Sequence, residues 1–143
     1  MAGGKQRYQK RRNKHTFAGI PHDVLKTEKY ASLSGWAVKL LVDVVAQYTG
    51  RNNGDLQASW SCMQKVGWRS KGTLASATTE LLEAGFLVKT RQGGRNHCSL
   101  YAITWEPIHH CPDKRTKQHK LDVNPTNVAP GTWKDEPTAR RIA

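Results

Sequence analysis

The residues after Ser34 repeat apolar side chains at intervals of three and four positions, which is the pattern of one buried helix face. The apolar positions of this repeat are Ala37, Leu40, Leu41, Val44, Val45 and Tyr48. The Ser34 hydroxyl can cap the first turn, and the Gly- and Asn-rich run 49–54 ends the pattern. The sequence therefore predicts a core-building helix over 34–48. A chain of 143 residues with 37% hydrophobic content has room for one modest core.

Weaker signals on both sides of this helix predict three short elements. Residues 21–31 begin with proline, which suits an early helical position, and they predict a short helix. Residues 55–58 alternate between polar and apolar side chains and predict one short strand. Ser61 and Gln64 have capping-box spacing, so a third helix of about two turns is expected to end at Gly67.

A fourth helix, expected over 71–84, has two different faces. Ser70 can cap its first turn, and Gly85 can end it in a left-handed conformation. One face is apolar and consists of Leu74, Ala77, Leu81, Leu82 and Ala84. The opposite face carries Lys71, Thr73, Ser76, Thr79 and Glu80. Small hydroxylated side chains with a lysine near the helix start suit close approach to another surface.

The residues after this helix predict a hairpin. Two segments rich in β-branched and aromatic residues, 86–90 and 97–105, have the composition of strands. The segment 91–96 between them contains two adjacent glycines flanked by Arg and Asn. We therefore expect a flexible, basic tip.

After residue 106 the chain becomes polar, contains repeated prolines and lacks a helical period. Residues 107–143 are therefore predicted to form an extended tail, with Val128 and Trp133 as apolar exceptions that can dock either on the domain or on a partner. No apolar run has the length of a transmembrane helix, and none has the pattern of a signal peptide. We expect a soluble, cytoplasmic protein.

The chain has three cysteines, Cys62, Cys98 and Cys111, and no CxxC pair, so free thiols are expected. The His97-Cys98 pair and the run His109-His110-Cys111 have the chemistry of metal ligands. They lack the paired spacing of structural zinc sites. We therefore expect no metal and no other cofactor.

The formal net charge of +12 is concentrated at the N-terminus. Residues 1–16 contain six Lys and Arg and no acidic residue, which places half of the excess charge there. Such a segment cannot bury enough apolar surface to fold alone, so it is predicted to be a disordered arm. The polyanion that best fits this arm is nucleic acid.

The element order of two helices, a short strand, a helix, a turn, a helix and a basic hairpin resembles that of winged-helix domains. The residues resemble in particular the small helix-turn-helix proteins of bacteria and of their phages and mobile elements. Residues 66–74 (VGWRSKGTL) are similar to the turn into a recognition helix, and residues 80–87 (ELLEAGFL) to its end and the entry into the wing. The resemblance covers about residues 20–105. It implies a mainly helical α+β fold with a disordered basic arm (1–16), a winged-helix domain (17–106) and an extended tail (107–143).

The resemblance implies that the helix over 70–84 lies in the DNA major groove, where base pairs can be distinguished. The residues expected at the groove are Arg69, Ser70, Lys71, Thr73, Ser76 and Thr79. The residues expected on the backbone or in the minor groove are Arg91, Arg95 and Asn96 of the wing and Lys10, Arg11 and Arg12 of the arm. Neutralising about six phosphates would give a slope of log affinity against log salt of about −5. The expected partner is double-stranded DNA, and the expected role is regulation of transcription or replication.

Two other classes of function are weighed against DNA binding. The sequence has no P-loop, HExxH or GxSxG motif, so an enzyme is not expected. The alternative is a phage or mobile-element winged helix that binds and inhibits a host protein or nucleoprotein complex, anchored by Val128 and Trp133. RNA binding ranks lower because the hairpin lacks an exposed aromatic platform. Monomer and homodimer both stay open.

Overall fold

Residues 16–135 are described by the computed structural model, and they form an α+β fold with five helices and a three-stranded antiparallel sheet. The helices are α1 (His22–Leu25), α2 (Glu28–Ala31), α3 (Gly35–Val45), α4 (Trp60–Met63) and α5 (Lys71–Ala84). The strands are β1 (Leu56–Gln57), β2 (Leu87–Arg91) and β3 (Leu100–Ile103), and 3₁₀ turns lie at Gln64–Val66 and Thr132–Lys134. The mixed α+β class expected from the sequence is confirmed. None of the helices within this range is long and apolar enough to cross a bilayer.

Serine side chains begin the two long helices, as predicted. The Ser34 hydroxyl accepts a hydrogen bond from the N–H of Ala37 at 3.1 Å. The Ser70 hydroxyl accepts one from the N–H of Thr73 at 3.2 Å. At the other end of α5, Gly85 has a φ of 84°, a left-handed conformation that glycine adopts without steric cost.

The helix predicted over 21–31 is divided into α1 and α2 by the side chain of Thr27. The Thr27 hydroxyl donates to the carbonyl of Val24 at 2.7 Å, at the end of α1. The same oxygen accepts the N–H of Tyr30 at 3.1 Å and caps α2. A hydroxyl that bonds in both directions competes with the helical backbone bonds, so the helix is interrupted at this residue.

Two further helix boundaries differ from those predicted. α3 ends at Val45, and the residues after it continue with 3₁₀-type bonds such as that from Tyr48 N–H to the Val45 carbonyl at 3.0 Å. α4 begins at Trp60, with Ser59 at the cap position. Ser61, which was expected to be the cap, therefore lies inside the first turn.

The main core lies between α3, α5 and one face of the sheet. Its helical residues include Ala37, Leu40, Leu41, Val44 and Val45 of α3 and Leu74, Ala77 and Leu81 of α5. These are the apolar stripes that the spacing predicted. The strand order is β1-β3-β2, so β3 is central and pairs with β1 on one side and β2 on the other.

The segment after residue 106 packs on the opposite face of the sheet, so residues 107–135 do not form the extended tail that the sequence predicted. A second apolar cluster consists of Leu100, Ala102, Ile108, Cys111 and Leu121. All four residues of β3 are buried because both faces of the strand are covered. The apolar residues of this segment are widely separated among polar ones, so no periodic pattern marked them as core.

Asn53 attaches the beginning of this segment to the sheet. Its side chain is fully buried, and Nδ2 lies 2.9 to 3.0 Å from the carbonyl oxygens of Ile103, Glu106 and Pro107. Oδ1 accepts the N–H of Ile103 at 2.8 Å. The Asn53 N–H also donates to Nδ1 of His109 at 3.0 Å, and the His109 N–H donates to the Asn53 carbonyl at 2.9 Å. One asparagine therefore holds the chain where β3 ends.

Candidate nucleic-acid interface

The turn before α5 is fixed by a buried tryptophan. Trp68 is 2% exposed, and its indole N–H donates to the carboxylate of Asp43 on α3 at 2.8 Å. Lys39 donates to the same carboxylate oxygen at 2.8 Å and to the carbonyl of Val66 at 2.9 Å. These bonds tie the residues before α5 to α3, which sets where the N-terminus of α5 lies. The sequence alone indicates only that a buried tryptophan needs a hydrogen-bond acceptor for its indole N–H, and it does not indicate that Asp43 is this acceptor.

The first turn of α5 exposes two cations beside unpaired backbone donors. Arg69, Ser70 and Lys71 are all exposed. Lys71 Nζ lies 5.9 Å from the centre of the Trp60 ring, which directs this lysine toward α4. Within residues 16–135, no carboxylate lies within ion-pair distance of Arg69 or Lys71. A helix N-terminus with free N–H groups and nearby cations favours an anionic group.

Small side chains occupy part of the solvent-facing side of α5, beside two glutamates. Ala75, Ser76 and Thr79 are exposed, and they line an open groove of about 360 Å³ with Glu80 and Glu83. Thr73 is half-buried, so it lies at the edge of this face. Short side chains allow the helix backbone to approach another surface closely. Ala75, which the sequence analysis does not single out, belongs to this face.

Glu80 has a structural role. Its carboxylate accepts the N–H of Ser34 at 2.7 Å and the hydroxyl of Ser34 at 2.8 Å. It therefore caps the N-terminus of α3 from the neighbouring helix, as the glutamate of a capping box does from within its own helix. This carboxylate was assigned from the sequence to the solvated face of α5.

The hairpin between β2 and β3 has a tight tip. Gly94 and His97 form a bridge, with Gly94 N–H donating to the His97 carbonyl at 2.9 Å, so Arg95 and Asn96 lie at the turn and are exposed. A Cβ on Gly93 would lie 2.6 Å from the backbone nitrogen of Ser99, so only glycine fits there. Gly93 thus allows a narrow loop with one cation at its end.

Arg91 differs from Arg95 in its surroundings. Its guanidinium donates to the Cys98 carbonyl at 2.9 Å across the hairpin, and its side chain is only partly exposed. Its Nε is buried and has no hydrogen-bond partner among the described residues. Arg91 therefore braces the loop, whereas Arg95 projects from it.

The residue types that could hold a metal do not converge within residues 16–135, where no three His, Cys, Asp or Glu side chains form such a group. The three cysteines are free thiols. Cys111 is the buried one, and this burial, reinforced by the nearby charge of Asp55, raises its pKa to about 11. This thiol is a core side chain and a poor nucleophile.

The predicted site residues that the structure describes lie in two groups, one at α5 and one at the hairpin between β2 and β3. Arg69, Ser70, Lys71, Thr73, Ser76 and Thr79 lie on or immediately before α5, and Arg91, Arg95 and Asn96 lie in or beside the hairpin loop. Lys10, Arg11 and Arg12 lie outside the described residues. No known family, curated protein or solved structure matches the chain. Any function is therefore inferred from the geometry of these two groups.

Proposed function

We propose that this chain is a winged-helix DNA-binding protein that regulates transcription or replication. The observation that carries the proposal is α5, which presents a face of small side chains directly after two exposed cations and a rigidly held turn. The β1-β3-β2 sheet order and the basic hairpin that follows α5 support a winged-helix arrangement. In this arrangement α5 enters the major groove, and the hairpin loop contacts the backbone.

The groups on α5 are suited to different parts of DNA. The N-terminus with Arg69 and Lys71 provides partial and full positive charge for a phosphate or for guanine. Ser76 and Thr79 follow one and two turns later, and their hydroxyls both donate and accept, so they reach base edges with weak sequence preference. Binding strength would therefore come mainly from charge and from shape.

The hairpin loop has a simpler role in this proposal. Arg95 at the tip contacts a phosphate or enters the minor groove, and Asn96 contacts the backbone beside it. Arg91 contributes by holding the loop through the Cys98 carbonyl. The loop therefore adds affinity for any sequence.

Mobility shifts with random-sequence and genomic DNA at two salt concentrations test the proposal. Retention near 50 mM salt and weaker binding near 200 mM are expected, since counterion release makes binding salt-dependent. A lack of retention near 50 mM salt would overturn it. Selection of bound sequences from random duplexes would then show a palindrome if the protein binds as a symmetric dimer.

Two variants separate the roles of the helix and the loop. Combined Lys71→Ala and Ser76→Ala substitution should relax sequence preference, whereas Arg95→Ala should weaken binding to all sequences by a similar factor. Lys26→Ala is a matched control because this lysine is exposed on the C-terminal cap of α1. Equal loss of preference in both variants would refute the division of roles.

A second candidate function is binding to a host protein or nucleoprotein complex. It is favoured by large exposed apolar side chains, since Trp36 is 51% and Val128 76% exposed. Trp133 packs partly against the main core and is not a free anchor. Two results together would favour this second function. The wild type would show no DNA retention in the mobility shift, and the Trp36→Ser variant would lose a protein partner that the wild type binds.

A further inference from the structure

The segment after the sheet contains a second hairpin. Asp113 N–H donates to the Gln118 carbonyl at 2.7 Å, and Lys120 N–H donates to the Cys111 carbonyl at 2.9 Å. Pro112 and His119 form a bridge between the two sides. These contacts define a hairpin over 111–120, which we call the C-terminal hairpin.

The tip of the C-terminal hairpin is strongly basic. Lys114, Arg115 and Lys117 are exposed within four consecutive residues. The one acidic residue of the turn is Asp113, whose carboxylate accepts the N–H groups of Arg115 at 2.7 Å and Thr116 at 3.1 Å. Those backbone bonds lower the pKa of Asp113, so the carboxylate stays ionised and holds the turn.

Lys117 at the tip has a backbone conformation that lysine rarely adopts. Lys117 has a φ of 64°, and it is the one residue other than glycine with positive φ among those described. For a residue with a Cβ this left-handed conformation is sterically unfavourable, and Gly or Asn adopt it more easily. The chain nevertheless has a cation at this position.

Buried groups on both sides hold the base of the hairpin. Cys111 and Leu121 belong to the second apolar cluster against β3. His119 Nδ1 accepts the Cys111 N–H at 3.0 Å, and its Nε2–H donates to the Val123 carbonyl at 2.7 Å. Lys120 pairs with Asp55 at 2.9 Å. The tip therefore projects from a rigid base.

The C-terminal hairpin leads directly to the proposed wing. Asp122, two residues after it, accepts the N–H of Gln92 at the start of the wing loop at 2.8 Å. The Asp122 N–H donates to the carbonyl of Thr90 in β2, also at 2.8 Å. The C-terminal hairpin and the wing are thus joined at their bases on one sheet.

We propose that the C-terminal hairpin is a second contact for nucleic-acid phosphates, placed beside the wing. This inference rests on the proposed DNA binding and extends its surface to residues that belong to neither α5, the wing nor the arm. Phosphates fit better than an acidic protein, because a protein interface needs apolar anchors, whereas residues 114–117 at the tip expose three cations and Thr116. Three exposed cations on one narrow turn suit successive backbone phosphates, whose contacts carry affinity without sequence choice.

The test compares the salt dependence of DNA binding between matched variants. The combined Lys114→Gln, Arg115→Gln and Lys117→Asn variant removes the three cations. The control, Lys26→Gln, Arg51→Gln and Lys134→Gln, removes three exposed cations elsewhere. Fluorescence anisotropy with a duplex of about 30 base pairs and random sequence measures the affinity from about 50 to 200 mM salt. Urea unfolding of each protein shows that it remains folded.

The hairpin variant should bind at least about tenfold more weakly at 0.1 M salt, with a slope of log affinity against log salt reduced by about 2, while the control changes the slope by less than about 1. An unchanged slope in a hairpin variant that remains folded overturns this inference and leaves the proposed function standing. Wild-type protein that does not bind the duplex overturns both.

Lys117→Asn alone gives an independent measurement, since asparagine tolerates the left-handed conformation and keeps the turn. Its stability should equal or slightly exceed that of the wild type, while its slope falls by about 1. Lower affinity with equal stability separates loss of a phosphate contact from loss of structure. An unchanged slope in this variant would contradict a contact by Lys117.

Discussion

Replacement of Asn53 by alanine should cause a large loss of stability, because one buried side chain serves several backbone groups. The N–H of Ile103 would lose its acceptor inside the core. The carbonyls of Ile103, Glu106 and Pro107 would lose a shared donor group that has two hydrogens. A buried unpaired donor costs about 1–3 kcal/mol, and each lost carbonyl bond about 1 kcal/mol, so Asn53→Ala should lose about 3–5 kcal/mol.

Urea unfolding followed by circular dichroism and tryptophan fluorescence measures this loss. With an m-value of about 1.5 kcal/mol/M, the midpoint should fall by about 2–3 M. Asn52→Ala is the matched control: Asn52 lies in the same loop, accepts the N–H of Thr49 and donates to the Gln47 carbonyl, but is only partly buried. The control should lose about 1 kcal/mol. Equal losses in the two variants would refute the role assigned to Asn53.

The Asn53→Asp variant adds a test by pH. The introduced carboxyl keeps an acceptor for the Ile103 N–H, but its second oxygen would face three carbonyl oxygens. Burial and these oxygens raise its folded pKa, so its contribution to stability is present below its unfolded pKa of about 3.9 and is lost as pH rises. The loss relative to wild type should therefore be larger at pH 7 than at pH 4. A loss that is the same at both pH values would contradict this reasoning.

Three further substitutions and measurements test other contacts. Asp43→Ala removes the acceptor of the buried Trp68 indole and should lower the free energy of unfolding by about 1–3 kcal/mol, measured with urea. It should also weaken the proposed DNA binding, because the turn before α5 loses this contact. Glu80→Ala removes the cap of α3 at Ser34 and should cost about 1 kcal/mol, measured by the thermal midpoint. The Cys111 thiol should be alkylated last of the three cysteines in a mass-spectrometric time course. Burial raises the pKa of the Cys111 thiol from 9.0 to about 11. The contribution of the neutral thiol to the free energy of unfolding is therefore full below pH 9 and is lost between pH 9 and about 11. The Cys111→Ser variant should lack this part of the pH dependence.

The sequence determined the local parts of the fold. The apolar spacing in α3 and α5, the Ser34 and Ser70 caps and the Gly85 stop act over a few residues, and each is found where it was predicted. The hairpin with Arg95 and Asn96 at its tip follows from local turn chemistry in the same way. The exposure of Ser76 and Thr79 also follows from helical periodicity, since they lie opposite the buried stripe.

The tertiary structure decided the contacts between residues distant in the chain. Asn53 lies 50 residues from Ile103, and Glu80 lies 46 residues from Ser34, so no local pattern marks either side chain as a partner. The sequence predicts the cations of the C-terminal hairpin to lie in an extended tail. The apolar residues that hold the base of this hairpin are scattered among polar ones and show no period. Hydrophobic burial depends on which distant residues the folded chain brings together. The packing of residues 107–135 on the sheet turns a polar segment into a basic turn near the hairpin between β2 and β3.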